Sequence, residues 1–135
     1  MILENGVEVK QPRLGSDCVI RAVLDVFHPI RDYEIGCVVS TMEGVGLFAL
    51  NSFFSGGPPP PGLAPGRYIV DFPFRMELLP ATFYRVDLGL RVPVQGNYAD
   101  KVFNALVFDV STSGGVPPPL LFHVPTDVSI RRAGS

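Results

Sequence analysis

Three things are scarce in this sequence: net charge, metal-ligating side chains and long apolar runs. Each scarcity excludes a class of function. Eleven basic residues stand against thirteen acidic ones, a net charge of −2, and the one adjacent basic pair is Arg131-Arg132. Such a chain lacks the basic patch that neutralises a nucleic-acid backbone, so nucleic acid is not an expected partner. No apolar run approaches the ~18 residues of a membrane-spanning helix. The opening Met1-Ile2-Leu3-Glu4-Asn5-Gly6 has no basic region followed by an apolar stretch and does not read as a secretory signal. The two histidines, His28 and His123, lie far apart, and neither stands at ligand spacing from a cysteine or another histidine. There is no Gly-x-Ser-x-Gly elbow and no phosphate-binding Gly-x-x-x-x-Gly-Lys-Ser/Thr loop. The carboxylates are scattered, with no pair singled out for glycoside hydrolysis. Neither catalysis, metal nor cofactor is expected.

The cysteines number two, Cys18 and Cys37. If their strands pair across a turn at His28-Pro29-Ile30-Arg31-Asp32, Cys37 falls opposite a residue near Val23. Cys18 is then about five residues further on, roughly 17 Å at strand rise. A disulfide needs Cα atoms within ~7 Å. Two buried thiols in a reducing compartment are expected instead.

What the chain does have is punctuation and alternation. Fourteen glycines and fourteen prolines make about a fifth of its 135 residues, against roughly an eighth in ordinary proteins. A long helix tolerates neither; short strands joined by turns tolerate both. With 47% hydrophobic residues, the chain is suited to a single core-forming domain rather than disorder.

Residues 18–27 alternate with Cys18, Ile20, Ala22, Leu24 and Val26 on one face. Tyr33 to Thr41 is a short β-branched run, Glu43-Gly44-Val45-Gly46 a hairpin connection, and Leu47 to Phe54 the returning strand. Gly56 to Gly66, with four consecutive prolines, is a stiff surface loop; an SH3-type ligand is the alternative. Arg67 to Met76 alternates again, and its Pro73 calls for a sheet edge or a bulge. Phe83 to Val92 places Tyr84, Val86, Leu88, Leu90 and Val92 inward. Pro93 to Asp100 is turn-rich, Val102 to Val110 a strongly apolar strand, and Gly114 to Pro119 a second proline-rich loop. Leu120 to Arg132 holds one or two short strands. Seven to nine strands with no helical period predict an all-β fold, an antiparallel Ig-like or jelly-roll β-sandwich.

The outward registers carry a polar set: Arg21, Asp25, Asp71, Arg75, Arg85, Asp87 and Arg91. If their three strands share one sheet, these residues form a ladder of guanidinium donors and carboxylate acceptors. Such groups hold sugar hydroxyl pairs in two-pronged fashion. Phe83 is the aromatic candidate on the same registers; Tyr33, Phe53, Phe54 and Tyr98 are further stacking candidates near loops. The competing reading is that alternating charges on a wet sheet face are ordinary cross-strand pairs.

A run of landmarks resembles a known family. Gly6-Val7-Glu8-Val9 opens it, and Leu14-Gly15-Ser16-Asp17-Cys18 enters a long strand. Tyr33-Glu34-Ile35-Gly36-Cys37-Val38-Val39 follows, then Leu47-Phe48-Ala49-Leu50-Asn51-Ser52 after a glycine turn. Gly66-Arg67-Tyr68-Ile69-Val70-Asp71-Phe72 leads into Leu78-Leu79-Pro80. Phe83-Tyr84-Arg85-Val86-Asp87-Leu88 and Val107-Phe108-Asp109-Val110 complete the series. Over roughly residues 6 to 132 the sequence resembles the C-terminal carbohydrate-binding domain of the Wzt-type ATP-binding subunit of ABC transporters that export O-antigen polysaccharide. It departs from that pattern after Pro80, where Ala81-Thr82 replaces the turn glycine.

The resemblance implies an Ig-like sandwich that binds a finished polysaccharide without catalysis and couples chain completion to export. It implies a cytoplasmic dimer, peripheral to the inner membrane, acting with the transporter's membrane subunit through an ATPase domain. Residues 1–135 then form the binding domain alone, excised from a longer chain; a stand-alone protein is the other reading. Exchange of the last strand between protomers is one way to dimerise, since Gly114 to Pro119 is a stiff linker before it. The alternative function is a structural or protein-interaction sandwich with no glycan site. The two readings differ on whether the outward Arg, Asp and aromatic residues converge on one concave surface.

Overall fold

Alternation with a period of two organises the chain in space as it does in sequence. A computed structural model describes residues 1–51, 62–78, 80, 83–92, 97–111 and 128–134, with side chains at 92 and 97–101 left aside. Among the described residues nine strands follow one another: β1 (Ile2–Glu4), β2 (Val7–Glu8), β3 (Asp17–Val26), β4 (Glu34–Thr41), β5 (Gly46–Asn51), β6 (Gly66–Arg75), β7 (Phe83–Val92), β8 (Asn97–Asp109) and β9 (Ser129–Arg132). No described residue is helical. The strands form a five-stranded sheet in the order β2-β1-β3-β6-β9 and a four-stranded sheet in the order β5-β4-β7-β8. Every strand pairing is antiparallel. The fold is an all-β sandwich.

The core lies between the sheets and is built from the alternate residues of each strand. From the five-stranded sheet come Cys18, Ile20 and Val26 of β3 and Tyr68, Val70, Phe72 and Phe74 of β6. From the four-stranded sheet come Ile35, Cys37 and Val39 of β4, Leu50 of β5, Tyr84, Val86 and Leu90 of β7, and Phe108 of β8. Phe72 and Phe108 are the largest fully enclosed side chains. Truncating a buried Phe to Ala costs about 3–5 kcal/mol, a large share of the ~5–15 kcal/mol that a domain of this kind has in total. The hydroxyl of buried Tyr68 donates to the Ala64 carbonyl at 2.7 Å.

Several expectations change once the strands are placed. Residues 28–32 are not a hairpin turn. β3 pairs with β1 and β6, and β4 pairs with β5 and β7, so the segment carries the chain from one sheet to the other. It is pinned there by Ile30 and Leu63, which exchange backbone hydrogen bonds at 2.9 and 2.7 Å. Cys18 and Cys37 are therefore in opposite sheets rather than on paired strands; both are free and buried. Burial pushes the Cys37 thiol up to about 12 and also raises Cys18, so neither is a thiolate near neutral pH.

The first hairpin has a clear signal that the strand-by-strand reading passed over. Asn5 and Gly6 both take positive φ, 50° and 81°, the twist of a two-residue type I′ turn, and β1 and β2 pair across it. Glu4 then fastens β1 to the next corner, accepting from the Arg13 backbone N–H at 2.6 Å and from the Ser16 hydroxyl at 3.0 Å. β8 begins at Asn97, inside the stretch that looked turn-rich. Tyr33 is a core residue, not a stacking surface. Pro73 sits in a strand flanked on both sides, and among the described residues β9 pairs only with Tyr68 to Asp71 of β6, so no described strand residue stands beside Pro73 on that side. Most of the first proline-rich loop, the second proline-rich loop, Phe53, Phe54, His123 and the run from Leu120 to Thr126 lie outside the described residues.

Candidate functional site

The three strands that carry the polar set do not share a sheet, so the single ladder is two separate groups. Arg21 and Asp25 on β3, with Asp71 and Arg75 on β6, occupy the outer face of the five-stranded sheet. Phe83, Arg85, Asp87 and Arg91 on β7 occupy the outer face of the four-stranded sheet, on the opposite side of the core.

On the first face two arginines are held by aspartates across the strands. Arg21 Nε donates to Asp71 Oδ1 at 2.7 Å and Arg21 Nη2 to Asp71 Oδ2 at 2.9 Å. Arg67 holds Asp25 in the same two-pronged way, at 2.8 and 3.3 Å. That bond holds the Asp25 carboxyl below its ordinary value. Arg75 stands opposite Asp17. The signs alternate along each strand: Asp17, Arg21, Asp25 on β3 face Arg75, Asp71, Arg67 on β6. A two-residue slip sets these charges against apolar neighbours such as Ile69, and a four-residue slip sets Arg21 against Arg75 and Asp25 against Asp71. The pattern selects one register.

The second face is hollow. A concavity of about 560 Å³ lies over β5, β4 and β7, within the size range of small-ligand sites. The register shows how it is made. One cross-strand row reads Asn51, Gly36, Gly89; the next reads Ala49, Val38, Asp87; the third reads Gly46, Ser40, Arg85. Glu34 and Arg91 close one end as an ion pair, with Arg91 Nη2 2.8 Å from Glu34 Oε2. Gly36, Gly89 and Gly46 leave gaps in paired strands where the backbone is laid bare, and Val38 and Ala49 form the apolar part of the floor between them. At Gly36 the space is tight as well as open: a Cβ there would meet the Leu50 carbonyl at 3.0 Å.

Two guanidiniums border this hollow, and they differ. Arg91 is paired. Arg85 Nη2 is 3.8 Å from Asp87 Oδ2, beyond hydrogen-bond reach, while Asp87 Oδ1 accepts the Asn104 backbone N–H at 2.8 Å. Arg85 Nε is buried with no acceptor. Leaving a buried donor unpaired costs roughly 1–3 kcal/mol. Phe83 is off the hollow. It is half-exposed in a separate cleft with Val107, Glu8 and Lys10.

The structure thus brings Arg85, Asp87 and Arg91 together and adds Glu34, Gly36, Asn51 and Ser40, which the sequence reading did not single out. The available signal was Gly36 and Gly89, each in the interior of an otherwise alternating strand. Guanidinium, carboxylate and amide groups of this kind bond to hydroxyls, and here they border a floor of glycine backbone, Val38 and Ala49. Among the described residues no group of three His, Cys, Asp or Glu side chains is placed to hold a metal ion. No helix among them is long and apolar enough to cross a membrane.

Residues 1–118 match the Wzt C-terminal domain family. Among solved structures, the crystal structure of the C-terminal domain of Wzt is similar, with a TM-score of 0.73 and 16% identity. The likeness covers 83% of this chain and 70% of that one. At that identity it speaks to the fold. No curated protein matches the chain.

Proposed function

This chain belongs to the Wzt C-terminal domain family, and from that premise we propose that it is a non-catalytic module that binds a cell-surface polysaccharide. The observation that carries the reading is the glycine-floored hollow on the four-stranded sheet, bordered by Glu34, Asn51, Arg85, Asp87 and Arg91. The glycan seats across β4 and β7, with its ring over Gly36 and Gly89 and its hydroxyls on the bordering polar groups. Arg21, Asp25, Asp71 and Arg75 take no part in it, because they lie on the far face and their charges face one another across β3 and β6.

In this proposal the ligand is an O-antigen-like polysaccharide, and binding couples a completed chain to export by an ABC transporter. The module works in the cytoplasm at the inner membrane, as a homodimer, through an ATPase domain and the transporter's membrane subunit. β9 pairs with β6 of its own chain; strand exchange in the dimer puts the same pairing between protomers.

The test is calorimetric titration of the purified chain with the O-polysaccharide of its source organism, with and without the modification at the chain end. Binding to the modified form alone supports recognition of a finished end. Equal binding places recognition in the repeat unit. No heat with either, from a folded chain, overturns the glycan reading in favour of a structural sandwich.

A further inference from the structure

Resting on the reading that the hollow binds glycan, we infer that it selects an acidic one, and that Arg85 seats the oxyanion. The hollow has two cations, and their acceptors are unequally supplied. Arg91 has a carboxylate at 2.8 Å. Arg85 has one at 3.8 Å, and that carboxylate already accepts a backbone N–H from Asn104. Arg85 Nε has no acceptor in its present pose and is closed off from solvent.

The neighbours of Arg85 in the hollow are small. Its cross-strand neighbour Ser40 is small and faces Gly46 on the other side. Nη2 lies next to Gly44 in the β4–β5 turn, 3.6 Å from where a Cβ would stand. In this proposal the guanidinium turns its outer edge past Gly44 toward the bound group. A guanidinium prefers a carboxylate or phosphate to a hydroxyl, because two charge-assisted bonds form in one plane. Asp87 opposes an anion at this spot, but its hydrogen bond to Asn104 holds it on the β8 side. The shared chemistry is an oxyanion on the sugar, whether a uronic carboxylate or a phosphate.

The experiment uses the whole chain and three preparations of the source polysaccharide: native, carboxyl-reduced, and dephosphorylated with cold hydrofluoric acid. Affinities are measured by calorimetry for the wild type, Arg85→Gln and, as a control on the far face, Arg75→Gln. Thermal unfolding checks that each variant is folded. The expected result is that one of the two treatments weakens wild-type binding at least tenfold and thereby names the source of the anion. Arg85→Gln binds the native polymer at that weakened level and no longer responds to the treatment, while Arg75→Gln behaves as wild type. If native polymer binds and neither treatment matters, the anion inference falls and the glycan reading stands. A treatment that weakens Arg85→Gln as much as wild type also overturns it, since the anion then sits elsewhere. If the native polymer does not bind at all, the glycan reading itself has failed.

Discussion

The two outer faces of the sandwich carry similar residue types and use them in opposite ways. On the five-stranded sheet, arginines and aspartates face each other across β3 and β6 with signs that alternate along each strand. Two of those pairs, Arg21 with Asp71 and Arg67 with Asp25, close as ion pairs. On the four-stranded sheet, glycine, alanine and serine take many of the outward positions, and the charged groups are displaced to the border of a hollow. One of them is left short of partners. The lesson is that an outward arginine or aspartate says little about function until its cross-strand partner is known. The informative signal is what stands between the charges, large apolar residues on one face and glycines on the other.

The largest effect should come from filling the hollow. Ala49→Trp places a bulky ring over its floor from an exposed position on β5, and polysaccharide affinity should fall on the order of 100-fold, about 2.8 kcal/mol. Ile69→Trp, on the outer face of the other sheet, should leave affinity unchanged. Equal losses from both, by calorimetry, would erase the distinction between the faces.

Next in size is a reversal of charge in the paired ladder. Arg21→Asp sets two aspartates opposite one another and should cost about 2 kcal/mol of stability by urea unfolding. Adding Asp71→Arg should restore most of it, and glycan binding should be unaffected throughout. If the double swap stays as unstable as the single one, the ladder is not what holds the register.

A smaller effect separates the exposed pair of that face by pH. The Asp25 carboxyl is lowered from 3.8 by the hydrogen bond from Arg67, and Glu4 is lowered from 4.5, chiefly by the Arg13 backbone N–H. A depressed carboxylate stabilises the fold above its unfolded value, and the benefit is lost as pH falls through the lower folded one. Arg67→Ala should therefore be measurably less stable than wild type at pH 7, with the gap closing as pH falls below 3.8 and through the lowered folded value of Asp25. A gap that persists in acid would assign the loss to packing of the Arg67 stem instead.

The smallest effect concerns the sheet beneath the hollow. Cys37 is adjacent to outward-facing Gly36 and Val38 but points into the core, with its thiol pushed up to about 12. A thiol reagent at pH 8 should label neither cysteine in the native chain and both after denaturation. Prompt native labelling of Cys37 would mean that the floor opens.

Much of this is legible in the sequence. The strand at 83–92, the inward face Cys18, Ile20 and Val26, and the hairpin connection at 43–46 follow from period-two alternation and turn chemistry, which are local properties. The hairpin at Asn5-Gly6 was equally local, but its strands are two and three residues long, too short for alternation to show. The start of β8 was obscured because Asn97 to Asp100 look like a turn and become a strand only by pairing with β7.

The sequence by itself determined the fold class, the face that each long strand buries, and the residue types available at the surface. Only the tertiary structure decided which strands share a sheet. That decision separated Arg21, Asp25, Asp71 and Arg75 from Arg85, Asp87 and Arg91, and brought Glu34, Gly36 and Asn51 to the second group. The physical reason is that side-chain alternation is set within each strand, while strand order is set by long-range burial between strands far apart in sequence. Periodicity records which way a residue points. It does not record which neighbours stand across from it, and in a sheet those neighbours determine whether a charge is paired or left available to a ligand.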